Sequence, residues 1–118
     1  MREAITIGEK LHGADSPFVG TSYRQLGDAL NDMGRYVDAQ DAYAHAEKIL
    51  IGGKGAPGQL ATVYQGMGIA WRKQGDEPKA ADCFRRALAS LGKTDTPRLR
   101  KMQQDIQALL AHAQAVSP

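Results

Sequence analysis

Between Tyr23 and Leu50 the apolar and small residues recur at steps of three and four, and the same pattern returns 41 residues later between Tyr64 and Leu91. Tyr23, Leu26, Gly27 and Leu30 share one helical face, as do Tyr64, Met67, Gly68 and Trp71. Each run stops at a glycine, Gly34 or Gly75, the residue that most cheaply turns left-handed after a helix end. A second stripe follows at once: Ala39, Tyr43, Ala46 and Leu50 in the first copy, Ala80, Phe84, Ala87 and Leu91 in the second. Two helical hairpins are predicted. Gly27 with Ala39, and Gly68 with Ala80, are expected to remove bulk where the paired helices cross.

The connecting segments repeat as well. Glu9 to Pro17 returns loosely as Glu47 to Pro57, and Pro17, Pro57 and Pro97 are spaced 40 apart, each where a helix could begin. Asp15 or Ser16, and Thr94, Asp95 or Thr96, are candidate caps ahead of the outer two. Helices are expected at about 2 to 11, 17 to 33, 36 to 51, 58 to 74, 77 to 91 and 96 to 113. The first has no helix before it, so its Ala4, Ile5, Ile7 and Leu11 are expected to be only partly covered.

Tyr23, Leu26, Gly27, Leu30, Gly34, Tyr36, Ala39, Tyr43 and Ala46, and again Tyr64, Met67, Gly68, Trp71, Gly75, Ala80, Phe84 and Ala87, resemble the signature of the tetratricopeptide repeat. That resemblance implies an all-α fold, a right-handed superhelix, or α-solenoid, of about six helices. The unit here is 41 residues where the family's usual one is about 34, which is similar to the kinesin-light-chain type. One domain over residues 1–118 is expected: a partial repeat at 1–16 with helix B only, repeats at 17–56 and 57–95, and a capping helix at 96–118. Two complete hairpins flanked by a lone helix at each end stand at the lower limit of roughly three repeats for such arrays, so the N-terminal edge is expected to meet additional repeats or a homo-oligomer partner.

Composition changes the picture little. The 118 residues are 42% hydrophobic and 24% charged, and no apolar run approaches the roughly 18 residues of a membrane span. Met1-Arg2-Glu3-Ala4 does not open a secretory signal, and the single Cys83 permits no internal disulfide, so a cytoplasmic location is expected. Charge is uneven: residues 1–57 hold six Lys/Arg against eight Asp/Glu, and residues 58–118 hold nine against five. The basic end is read first as a solvated cap and second as a surface for an acidic partner. Few aromatics interleave with those charges, which argues against nucleic acid.

By the same resemblance, a partner would lie along the concave wall made by each first helix. The wall positions are Thr21, Arg24, Gln25, Asp28, Asn31 and Asp32 in the first copy, and Thr62, Gln65, Gly66, Ile69, Arg72 and Lys73 in the second. Gln25, Asn31 and Gln65 suit a peptide's backbone, Arg24, Arg72 and Lys73 its carboxylates, and Asp28 and Asp32 its Lys or Arg. The lysine and asparagine clamp of chaperone cofactors is not reproduced. The expected function is a non-catalytic module binding a protein or extended peptide, the alternative being a ligand- or peptide-sensing domain of a larger regulator.

Other motifs carry less. Gly52 to Gly58 superficially resembles a phosphate loop, but Lys48 and Gly55 occupy positions where a Walker A motif needs Gly and Ser/Thr. His12, His45 and His112 have no i, i+4 partner, so no metal and no cofactor are expected. Arg85 and Arg86 could lower the pKa of Cys83, yet no base and carboxylate accompany it for catalysis. Trp71 and the tyrosines are read as core.

Overall fold

A computed structural model describes residues 2–13, 16–51, 58–92 and 96–116. The expected caps Asp15, Thr94 and Asp95, the loop 52–57 and Pro57 lie outside them. Six helices follow in order: α1 (Arg2–His12), α2 (Pro17–Asp32), α3 (Tyr36–Leu50), α4 (Gln59–Lys73), α5 (Glu77–Leu91) and α6 (Pro97–Val116). The described residues contain no strand. This is an all-α helical-repeat solenoid.

Helix ends follow local chemistry, and the two copies share their C-terminal stops. Ser16 Oγ accepts the Val19 N–H at 3.3 Å ahead of Pro17, and Thr96 Oγ1 accepts that of Leu99 at 3.2 Å ahead of Pro97. At the C-termini of α2 and α4, Gly34 (φ 77°) and Gly75 (φ 85°) take the left-handed conformation. The next N–H groups then close onto Leu30 and Trp71, each at 2.9 Å. Orphan carbonyls at both helix ends are thereby satisfied, and the chain reverses tightly into α3 and α5.

The hairpins α2–α3 and α4–α5 make the most extensive contacts, followed by α5 with α6 and α3 with α4. The chain measures 47 × 35 × 19 Å, and its short dimension matches two helix layers of about 10 Å each. The core falls into two clusters, with the partly buried Leu60 and Met67 packed against both. Leu30, Ala39, Tyr43, Ala46, Leu50 and Val63 form one cluster, and Tyr64, Ala80, Phe84, Ala87, Leu91, Leu99 and Ile106 form the other.

Gly27 and Gly68 each meet an aromatic ring of the paired helix. A Cβ on Gly27 would stand 2.6 Å from the Tyr43 ring, and one on Gly68 would stand 2.5 Å from the Phe84 ring. Each glycine therefore seats an aromatic side chain of the paired helix, where Ala39 and Ala80 are fully buried. Gly66 does the same for Tyr43 from the other side, at 2.5 Å from its hydroxyl end. Tyr43 is thus gripped between α2 and α4.

In the first helix Ile5 is covered more fully than expected, while the apolar set as a whole is only partly covered. Ile5 is buried to 5% exposure, while Ile7 and Leu11 remain 57% and 72% exposed. The side chain of Ala4 lies outside the described residues. α1 packs on α2 with Gly8 against the Phe18 ring, so one face is covered and the opposite one is open.

Candidate functional site

Helices α2, α4 and α6 line a groove with two basins. The first, about 310 Å³, is bounded by Asp28, Asn31 and Asp32 of α2, Tyr43 of α3, and Thr62, Gln65, Gly66 and Ile69 of α4. The second, about 470 Å³, is bounded by Gln65 and Arg72 of α4 and by Asp105, Ala108, Leu109 and His112 of α6. Gln65 belongs to both, so the basins adjoin.

Of the wall positions read from the sequence, Asp28, Asn31, Asp32, Thr62, Gln65, Gly66, Ile69 and Arg72 come together in these basins. Thr21, Arg24, Gln25 and Lys73 line neither. Thr21 accepts from Gln59 Nε2 at 3.2 Å, a link between α2 and α4, while Gln25 and Lys73 are exposed.

The first basin rests on a polar cluster. Tyr43 donates its hydroxyl proton to Asp28 Oδ1 at 2.5 Å, and the other oxygen of that carboxylate takes Arg24 at 2.7 Å. Both amide protons of Asn31 are engaged, one on Tyr43 Oη at 3.1 Å and one on the Gly66 carbonyl at 3.2 Å. Burial first, and then the hydrogen bond to the Asp28 carboxylate, holds the Tyr43 phenol well above its ordinary range. Tyr43 is therefore a protonated donor at any physiological pH.

This assigns roles different from those expected of the charged wall residues. Arg24 is neutralised by Asp28 one helical turn away, so it is not presented as a free cation. Arg72 is built into the scaffold: it donates to the Leu109 carbonyl at 2.8 Å, stands 3.4 Å from Glu77 Oε1 and lies 5.2 Å from the Phe84 ring centroid. Asn31 reads the backbone of this chain's own α4. Asp32, exposed at the last turn of α2, has no partner among the described residues.

Sequence reasoning missed Tyr43 and the whole contribution of α6. The signal for Tyr43 was Gly66, which stands where the first copy has Gln25 and so opens the wall to a ring from below. For α6 it was the spacing of Asp105, Ala108, Leu109 and His112, a single helical face at steps of three, four and seven.

Elsewhere, burial foremost and then the Asp82 charge push the Cys83 thiol up to about 11, so the lowering expected from Arg85 and Arg86 does not prevail. Tyr23 stacks on His45, with ring centroids 4.8 Å apart. Among the described residues no group of three or more His, Cys, Asp or Glu could hold a metal ion. None of the described helices is long and apolar enough to cross a membrane.

A family model described as tetratricopeptide repeat matches residues 1–51, which hold α1 and the first hairpin. No curated protein and no solved structure matches the chain. The second hairpin repeats the first in its helix lengths, its left-handed glycine stop and its glycine-seated aromatic ring. By that match residues 1–51 hold a tetratricopeptide repeat, a unit that serves in general as a protein-interaction module, and the second hairpin is built like the first.

Proposed function

We propose that the chain binds an extended segment of a partner protein along the α2–α4–α6 groove, without catalysis. The observation that carries this reading is the pair of adjoining basins joined at Gln65. Their lining mixes carboxylates, amides and a hydroxyl with the apolar walls of Ile69 and Leu109. An extended peptide offers unpaired N–H and C=O groups to such side chains and places alternate side chains in successive pockets. Gln65 is free to act as donor or acceptor at the boundary, since its amide has no partner among the described residues.

Among the described residues the Cys83 thiol is buried and lines neither basin, and the Tyr43 hydroxyl, although it donates to Asp28, is held protonated well above the ordinary phenol range, which supports a non-catalytic reading.

A displayed library of random heptapeptides selected on the intact chain tests the proposal. The recovered peptides are then measured by fluorescence polarisation against Gln65→Trp, which fills the boundary of both basins. Binding is expected to weaken at least about tenfold while the helical circular dichroism is unchanged. Retained affinity in Gln65→Trp would remove the groove from consideration.

A further inference from the structure

We infer that the basin between α2 and α4 takes the cationic side chain, lysine or arginine, of the bound segment; this rests on the groove reading above but is separately testable. The reasoning starts from which hydrogen-bonding groups remain unused. Both Asn31 amide protons are engaged, on Tyr43 Oη and on the Gly66 carbonyl. The Tyr43 proton is on Asp28, and the Thr62 hydroxyl donates to the Gly58 carbonyl at 2.8 Å.

What is left is almost all acceptor. Asp32 keeps a whole carboxylate, and the Oδ1 of Asn31 is buried with no hydrogen-bond partner. Thr62 Oγ1 has lone pairs to offer, and Gln65 can present its carbonyl. No Lys or Arg lines the basin, and Arg24 is held by Asp28, one of the lining residues.

Apart from the Gln65 amide at its boundary, the cavity has used its donors and kept its acceptors, which favours a ligand group made of donors alone. Ammonium and guanidinium are the two that a protein segment supplies. The basin's 310 Å³ admits one long side chain, whose methylenes would lie along Ile69 while its charged head meets Asp32. Asn31, which lines the basin, adds to this balance, since its amide protons are both engaged and its Oδ1 has no donor.

The second basin does not share this character. It carries Arg72 and His112 beside Asp105, so donors and acceptors are mixed there. Cation preference is accordingly confined to the α2–α4 side.

The test uses the full chain, ¹⁵N-labelled, titrated with butylguanidinium chloride and, separately, with sodium butyrate at matched ionic strength. The expected result is saturable movement of the Thr62 and Gly66 amides and of the Asn31 side-chain amide with the guanidinium only. Asp32→Asn, a change at an exposed position, should weaken that binding about tenfold. Absence of saturable shifts, or affinity within twofold in Asp32→Asn, would overturn the inference.

The peptide library separates this from the broader reading. Selected peptides that lose at least tenfold on replacing one arginine by citrulline support the cation site. Peptides that bind through the groove, as judged by Gln65→Trp, with no dependence on a cation overturn it and leave the groove reading standing. Guanidinium binding with no groove-bound peptide does the reverse: the cation site is upheld and the peptide reading falls.

Discussion

Asn31 and Arg72 stand 41 residues apart at the same place in the two hairpins, and each donates from its side chain to a main-chain carbonyl of the next groove helix. Asn31 reaches Gly66 at 3.2 Å, and Arg72 reaches Leu109 at 2.8 Å. Their surroundings correspond too. Tyr43 and Phe84 are equivalent, and the hydroxyl contact of Asn31 in the first hairpin becomes a guanidinium over a ring in the second. Asp28, which accepts the Tyr43 proton, is replaced at the equivalent position by Ile69, beside a ring with nothing to donate. One mechanical link is built once from neutral polar groups and once from an ion.

Removing either link should loosen the stack. Asn31→Ala is expected to destabilise by about 1–2 kcal/mol, since it strips a partner from Tyr43 and from Gly66. Arg72→Met should cost about 1–3 kcal/mol, because Glu77, half-buried, loses its counter-charge. Adding Glu77→Gln to Arg72→Met should recover part of that loss. Urea denaturation of Asn31→Ala, Arg72→Met, Glu77→Gln and the Arg72→Met/Glu77→Gln double variant reads both values and the coupling.

Two glycines separate steric from conformational causes. Gly66→Ala places a methyl 2.5 Å from the Tyr43 hydroxyl end and should destabilise by about 1–3 kcal/mol. Gly34→Ala meets nothing within 4 Å and suffers only the φ of 77°, about 1 kcal/mol. Combining each with Tyr43→Leu distinguishes them in thermal melts: the Gly66 effect should shrink in that background, and the Gly34 effect should not.

Stability should decline with alkaline pH. Burial, followed by the hydrogen bond to Glu47, raises the Tyr64 phenol from its usual 10 to about 12, and burial raises Cys83 from 9 to about 11. Both groups hold their protons in the folded chain at pH values where the unfolded chain has released them. The stabilisation is therefore complete below about pH 9 and is lost as pH rises toward 12, at up to about 1.4 kcal/mol per pH unit for each group. Urea midpoints from pH 8 to 11 give the slope, and Cys83→Ala should flatten its onset. A slope of opposite sign would contradict these environments.

The N-terminal helix offers a test of its own edge. Ile5→Glu buries a carboxylate among apolar neighbours and should unfold the chain or cost about 3 kcal/mol or more. Ile7→Glu and Leu11→Glu act on the open face and should leave the monomer's melting within about 0.5 kcal/mol of the parent. Light scattering on those two variants, not on Ile5→Glu, therefore reports whether the open face associates. A parent dimer that they dissolve would show that a second copy covers it.

Periodicity alone determined the six helices, their glycine stops and the repeat of 41 residues, because those features depend on which side chains can share a face or take a positive φ within a few residues. It also placed most of the first basin's lining, since a residue beside a buried stripe must lie on the neighbouring face. Only the tertiary structure decided how the charges are employed: Arg24 turns to Asp28, Arg72 to Leu109 and Glu77, and Tyr43 reaches the groove between Gly27 and Gly66. A long side chain can select any partner within about 6 Å. That choice is settled by the helices brought alongside, whose spacing no single stretch of sequence encodes.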